Sequence, residues 1–371
     1  MKTFFLFIIN LLFFVTATAQ NIYTENFDNL TIGNIGTDYT GTVPGQGGWY
    51  TASLNNPIYG VPLTNNHYQI VTETNKGKIA QIGPLALKGE AERVLFHTGL
   101  KSLWQQRTPG NNILKITYDM YTAESVGEYS SAFIDMLLYG NEGQLVNFAY
   151  RPSPQNGTTS AGVIHARGNF NKLRGAGDYS VFRNSTNQNL ILTPKTWVRL
   201  EAYIDYDNSK AYFYIPVFNR TIVKTFSYTL SLGGTDVEGN PLPDDSPEKI
   251  SFYVFKCGDC TDVVTYAPKF DNINLSAVNT IPAYILSVNE QLATKFNMYP
   301  NPATNVVNIT NAENMLVNQV TVYDISGKQL NTQSYNNETE IELNIENLAS
   351  GTYMLHVQTT QGTAVKKLVK K

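Results

Sequence analysis

The stretch Thr196-Trp197-Val198-Arg199-Leu200-Glu201-Ala202-Tyr203-Ile204-Asp205 alternates without a break. Val198, Leu200, Ala202 and Ile204 fall on one face, and Trp197, Arg199, Glu201, Tyr203 and Asp205 on the other. A period of two with one apolar set predicts a strand with one buried face. Asp207-Asn208 follows as a turn, and Lys210 to Val217 reads as the return arm of a hairpin. Outward from this hairpin the pattern repeats. Ile113 to Tyr121 sets Leu114, Ile116, Tyr118 and Met120 apart from their neighbours, and Ala132 to Tyr139 does the same with Ala132, Ile134, Met136 and Leu138. Thr221 to Leu230, Lys249 to Phe255 and Lys269 to Leu275 add further strands. No long amphipathic helix interrupts residues 20–277. The chain therefore reads as all-β, with one large antiparallel sandwich at 20–277. Two smaller sandwiches meeting near Arg151-Pro152-Ser153-Pro154 are the alternative.

The hairpin Thr196 to Tyr214 resembles the paired strands of concanavalin-like (LamG-like) jelly rolls. Phe270-Asp271-Asn272-Ile273-Asn274-Leu275 is similar to their closing strand, and Glu25-Asn26-Phe27-Asp28-Asn29 to their opening one. The resemblance implies a jelly roll whose relatives include lectins, carbohydrate-binding modules and glycanases, working on a concave sheet face. With the apolar sets inward, the opposite face is expected to carry Asp119, Tyr121, Asp135, Tyr139, Arg199, Glu201 and Tyr203. Aromatic rings stack on the apolar faces of sugars, while carboxylates and guanidinium groups bond hydroxyls. A polysaccharide or other surface glycan is the expected partner; a bare sheet face is the plainer alternative, and a protein-binding adhesin the third. The resemblance also implies a structural calcium ion at Glu25, Asp28 and Asp271, oxygen ligands where the opening and closing strands meet. Turn chemistry explains the same residues without a metal.

No catalytic set is legible. Glycoside hydrolysis needs two carboxylates about 5–9.5 Å apart, and the Glu-x-Asp-x-x-Glu strand of jelly-roll hydrolases has only Asp135 here. Val163-Ile164-His165 with Gly175-Ala176-Gly177-Asp178-Tyr179 faintly resembles jelly-roll polysaccharide lyases. The spacing is short and Val163 stands where the lyases carry Gln, so His165 reads as a surface or loop histidine. A polysaccharide-degrading enzyme stays as the alternative to a non-catalytic binding module.

The two ends speak of export. Lys2, the apolar run Phe4 to Val15 and the small-x-small site Ala17-Thr18-Ala19 read as a signal peptide at 1–19, cleaved between Ala19 and Gln20. That run is too short for a bilayer, which takes roughly 20 apolar residues, and no later segment predicts a membrane span. Residues 278–295 have no sustained period and read as a linker. Beyond it lie short alternating runs separated by Ser326-Gly327, Asn336-Asn337, Ser350-Gly351 and Gln361-Gly362, which predict a small Ig-like β-sandwich at 296–371. Tyr299-Pro300-Asn301-Pro302, Asp324-Ile325-Ser326-Gly327-Lys328, Gly351-Thr352-Tyr353 and the basic Lys366-Lys367 occur in order. Together they resemble the type A sorting domain of the bacterial type IX secretion system. The resemblance implies passage through the periplasm of a Gram-negative bacterium, engagement of the type IX machinery, and a secreted or outer-membrane-surface location.

Composition sets the remaining bounds. A formal net charge of −3 gives no basic field for nucleic acid. There is no phosphate loop and no dinucleotide fingerprint. Cys257 and Cys260 are the two cysteines; in an exported chain a local disulfide is the expectation.

Overall fold

The computed structural model describes residues 19–54, 64–84, 92–122, 133–152, 161–171, 178–184, 186–235, 238–255, 266–286, 292–311, 313–324 and 328–371. They divide into two units, Met1–Thr280 and Ile281–Lys371. The signal segment before Ala19 and the pair Cys257 and Cys260 lie outside the described residues. Among the described residues no helix is long and apolar enough to cross a membrane.

In the larger unit the described strands form two antiparallel sheets. The nine-stranded sheet runs Arg220–Thr225, Lys210–Ile215, Trp197–Asp205, Ile113–Tyr121, Lys269–Val278, Gly77–Ile82, Tyr68–Glu73 and Gly33–Asn34, with Gln20–Glu25 also paired to Lys269–Val278. The seven-stranded sheet runs Asp178–Val181, Val163–Gly168, Gly143–Arg151, Phe133–Gly140, Pro247–Phe255, Glu92–His97 and Tyr50–Leu54. This is the predicted all-β jelly-roll sandwich. The alternating stretch pairs on one side with Lys210–Ile215 and on the other with Ile113–Tyr121.

Both sheets turn their apolar sets inward. Leu200, Ala202 and Ile204 meet the core with Leu114, Ile116 and Met120 from one sheet and Met136, Leu138, Phe148 and Phe252 from the other. Rings from the two sheets touch across it. Tyr118 lies edge-on to Phe148 and Phe252, Phe148 edge-on to Phe213, and Phe252 against Phe270 with centroids 4.3 Å apart. Each such ring contributes about 1.5–3 kcal/mol by leaving water. Register is fixed by this core, because a one-residue slip would expose the whole apolar set.

The smaller unit has a three-stranded sheet, Phe296–Tyr299, Val306–Asn311 and Glu340–Asn344, and a four-stranded one, Gln329–Glu338, Val317–Asp324, Gly351–Thr359 and Gly362–Lys370. Val307, Ile309, Val320, Val322, Leu343, Leu355 and Leu368 fill its core. The Tyr299-Pro300-Asn301-Pro302 run has two cis X–Pro bonds. It is tied to the last strand: Asn301 Nδ2 donates to the Lys367 carbonyl at 3.0 Å, and Val369 N–H donates to Asn301 Oδ1 at 2.8 Å. Tyr353 donates its hydroxyl to the Ala349 carbonyl at 2.7 Å, so Gly351 and Tyr353 open a strand anchored at its own turn. Lys366 is half-buried on Ala293 while Lys367 is exposed. The stretch read as a linker is partly used by both units: Val278 ends a strand of the first, and Leu292 is buried in the core of the second.

Candidate functional site

The seven residues expected on one face are divided between the two sheets. Asp119, Tyr121, Arg199, Glu201 and Tyr203 point outward from the nine-stranded sheet; Asp135 and Tyr139 point outward from the seven-stranded one. Alternation fixes inward against outward but not which sheet a strand joins, and that is why the single face was misassigned. Tyr203 is a further correction. It was expected in solvent, yet it is fully buried, donating to Glu201 Oε2 at 2.9 Å with the Lys115 ammonium 5.7 Å from its ring centre.

On the nine-stranded face charge is saturated. Asp119 accepts Lys76 Nζ at 2.7 Å, Arg199 Nε at 2.5 Å and Asn272 Nδ2 at 2.9 Å. Asn272 reaches it from a bulge between Asp271 and Asn274, with φ at +50°, a left-handed conformation Asn tolerates better than most residues. Burial opposes the charge on Asp119, but the bonds to Arg199, Lys76 and Asn272 outweigh it and hold the carboxyl below its usual range. Tyr121 packs on Trp197 at 5.4 Å and under Lys269 at 4.8 Å, while Lys269 is paired with Glu73 at 2.5 Å. A shallow cleft of about 500 Å³ includes Thr24, Lys115, Arg199, Glu201 and Asn274.

The three residues expected to hold calcium each accept a backbone N–H. Glu25 accepts from Phe27 N–H and Asp271 from Asn272 N–H, each within its own turn, while Asp28 accepts from Lys78 N–H of the strand Gly77–Ile82. Among the described residues no three His, Cys, Asp or Glu side chains form a metal-holding group. Burial first, then Asp119 and Asp28, push Asp271 up to about 6 against the opposing Asn272 N–H and Lys76.

The seven-stranded face is different. Cross-strand partners set its outward side chains in rows. One row runs Tyr253, Asp135, Ala149, His165; the next runs Ser251, Leu137, Asn147, Arg167, Tyr179. Beside them Arg151 sits over Phe133, its guanidinium carbon 3.9 Å from the ring centre, and Arg167 approaches the same ring at 5.5 Å. Ala149 separates Asp135 from His165 and fills little of the space between them. Asp135 accepts Asn147 Nδ2 at 3.2 Å, and Arg167 Nη1 stands 3.8 Å away. Its other oxygen is buried without a partner, as are Asn147 Oδ1, Arg151 Nε and Nη1, and His165 Nε2. Burial drives the Asp135 carboxyl up to about 6, against Arg167, Asn147 and Arg151. Burial, with Arg151 and Arg167 behind it, drives His165 down to about 4, so the imidazole is neutral at pH 7. A cleft of about 450 Å³ opens here, lined by Asp135, Asn147, Arg167, Tyr139, Lys249 and Tyr253 among others. At its rim Tyr50 stacks on Phe96 with planes 11° apart, and the Lys249 ammonium sits 4.4 Å above Tyr139.

The sequence reading missed Asn147, Arg151, Arg167 and Lys249, and it placed His165 on the surface or a loop. His165 is in fact a buried strand residue. The signal was present: Val146, Phe148 and Tyr150 alternate with Asn147, Ala149 and Arg151, and Ile164 and Ala166 with His165 and Arg167.

Buried donors and acceptors without partners are uncommon, and a cluster of them is what a polar ligand satisfies. No curated protein matches the chain in sequence. Among solved structures it is similar to the CBM2 module of the evolved Dit of Lactobacillus casei BL23 phage J-1, at 10% identity and TM-score 0.40, covering 72% of this chain and 100% of that one. It is similar to a sialidase at 11% identity and TM-score 0.38, over 70% of this chain and 19% of the sialidase, so the chain spans only a fifth of that protein. Alginate lyase A1-II', of polysaccharide lyase family 7, gives 11% identity and TM-score 0.36 over 62% of this chain and 95% of the lyase. Residues 297–371 match the family described as "Secretion system C-terminal sorting domain", so the smaller unit is a type IX sorting domain and the chain carries the mark of an exported, secreted or cell-surface protein.

Proposed function

We propose that residues 20–280 bind a polysaccharide or other surface glycan across the outer face of the seven-stranded sheet, after the sorting domain has engaged the type IX machinery. One observation carries this reading. Asp135 and Asn147 line a cleft rimmed by aromatic rings and hold buried polar atoms without partners, and Arg151 and His165 on the neighbouring strands of the same face hold others. Leaving such an atom unsatisfied costs about 1–3 kcal/mol, and sugar hydroxyls are dense in matching donors and acceptors. Tyr139, Tyr253 and the Tyr50–Phe96 stack supply flat surface for the C–H faces of a pyranose. A glycan array probed with the full chain tests this. Retention on polysaccharide, weakened by Asn147→Ala, is expected; retention on none overturns the reading.

A second reading, a polysaccharide lyase, is favoured by His165 alone. An imidazole held neutral beside two arginines is suited to take a proton from carbon next to a sugar carboxylate. In that step the C–H electrons form a C=C bond, the adjacent C–O bond breaks, and the leaving oxygen takes a proton from an acid such as the Tyr179 phenol. His165 and Tyr179 rings lie 5.5 Å apart. Time-dependent ultraviolet absorbance of unsaturated sugar ends, lost in His165→Ala, would replace the binding reading with this one.

A further inference from the structure

Arg151 and Arg167 are unusual in facing one aromatic ring from neighbouring strands. Like charges brought together on a partly buried surface repel, and Arg167 is one of the influences lowering the Arg151 pKa, after burial. Asp135 is the carboxylate paired to this group, at 3.8 Å from Arg167 and beyond hydrogen-bond reach. Arg151 keeps two donor nitrogens, Nε and Nη1, buried and unbonded. His165, on the same strand as Arg167, adds an unbonded Nε2 and contributes no negative charge. The hollow thus offers several donors, excess positive charge and one weakly held carboxylate. A neutral sugar would satisfy the donors but leave one of the two guanidinium charges without a counter-charge.

We propose that this hollow seats an anionic substituent, a carboxylate or a sulfate ester, and that the ligand is an acidic polysaccharide. The inference rests on the glycan-binding reading and sharpens it to a substrate class. A guanidinium fork matches the two oxygens of a carboxylate or sulfate with parallel hydrogen bonds. The ring of Phe133 packs 3.9 Å from the Arg151 guanidinium carbon and 5.5 Å from that of Arg167, so less side-chain freedom remains to be lost on binding. Non-specific attraction does not produce the same result, because the whole chain carries a formal net charge of −3.

The test is electrophoresis of the full chain through gels containing polygalacturonate, dextran sulfate or neutral dextran, with competition by galacturonate and by galactose. Retardation by polygalacturonate or dextran sulfate, but not by dextran, is expected, and the acidic gel that retards identifies carboxylate or sulfate as the group. Arg151→Gln and Arg167→Gln should each weaken that retardation about tenfold or more, on the scale of a charge-assisted hydrogen bond. Arg220→Gln, an exposed change on the other sheet, should leave it unaltered. Equal retardation in all three gels, or retardation by dextran alone, leaves glycan binding standing and overturns the acidic class. Retardation in the acidic gels that both Gln variants retain also overturns it. Retardation in no gel removes the glycan reading itself. Where an Arg variant melts early, competition on the unaltered chain decides: displacement by galactose as strong as by galacturonate overturns the proposal in a carboxylate gel.

Discussion

Asp119 and Asp135 hold matching stations, each pointing outward from an interior strand of its sheet and each almost wholly buried. Asp119 is reached by a lysine, an arginine and an asparagine, all within 2.9 Å. Asp135 is reached by one amide, with its nearest cation at 3.8 Å. Burial is the largest influence on both. On the nine-stranded face bonded cations outweigh it and the carboxyl stays acidic; on the seven-stranded face burial prevails and the carboxyl rises to about 6. Alternation alone puts a carboxylate on a face. The reach of its neighbours decides whether it becomes a structural anion or an incompletely satisfied group that a ligand can complete.

The comparison breaks most visibly at Tyr203. If the nine-stranded face is closed, Tyr203→Ala removes a buried ring and leaves Glu201 without its phenol donor. A loss of about 3–5 kcal/mol is expected in denaturant unfolding; a loss under about 1 kcal/mol would mean the ring is not held as described. Next in size is Asp119→Ala, which leaves Lys76 and Arg199 facing each other without their shared acceptor. The expected loss is about 3 kcal/mol at neutral pH. Because the folded pKa of Asp119 is depressed, its stabilisation is present above the unfolded carboxylate value and fades as pH falls through the folded one. The deficit of the variant should therefore shrink in acid.

Asp135→Asn should move stability the other way. Its pKa is raised from 3.8 to about 6, so the folded state is favoured by protonation below the unfolded value. That advantage is lost as pH rises through about 6. Above this the ionised group opposes folding by about 3 kcal/mol, two pKa units at 1.36 kcal/mol each. The Asn variant should then be more stable than the parent at pH 7 by up to about 3 kcal/mol, with the gap closing toward pH 4. His165 runs opposite: its pKa is lowered to about 4, so its contribution is present above its unfolded value and lost as pH falls through about 4. The two slopes offset each other in the parent between about pH 4 and 6, and the variant should expose the histidine slope. Two variants, Asp119→Ala and Asp135→Asn, that lose stability equally would erase the distinction between the faces.

Much of this was legible in the residues. Val198, Leu200, Ala202 and Ile204, like Leu114, Ile116 and Met120, are inward as alternation requires, because only a buried face enforces a strict period of two. The sorting motifs were legible too, since Tyr299 to Pro302 and Gly351 to Tyr353 are local. The pairing of strands was not. Ile134 and Leu114 read alike from sequence, yet their strands lie in different sheets, which sent Asp135 and Tyr139 to the side opposite Arg199. The strands Gly143–Arg151 and Val163–Gly168 were not legible, the first because Pro152 and Pro154 read as a break directly after it, the second because six residues carry a weak period. Those two strands bring Asn147, Arg151, His165 and Arg167, so the candidate site was missed with them. In the smaller unit Gln329–Glu338 has no buried residue along its length, and a strand without a buried face leaves no hydrophobic trace.

The smallest effect on stability is expected at Tyr179, and it separates the two faces most cleanly. Its ring is 60% exposed, at the end of the row formed by Asn147 and Arg167, while Tyr203 on the other sheet is wholly covered. Both are strand tyrosines in outward phase, so side-chain chemistry and alternation treat them alike. Their environments do not. Truncating an exposed side chain usually changes stability by no more than about 0.5 kcal/mol. A ring that stacks on a sugar should still cost about 0.5–1.5 kcal/mol of affinity when removed, on the scale of aromatic pairs. Tyr179→Ala should therefore leave the melting temperature in place and weaken glycan binding several-fold, whereas Tyr203→Ala should lower the melting temperature. Tyr179→Phe isolates the hydroxyl: unchanged affinity assigns the effect to stacking, and a loss equal to that of Ala assigns it to the phenol beside His165. A Tyr179→Ala variant with unaltered affinity would confine the binding surface to the cleft between Asp135 and Lys249.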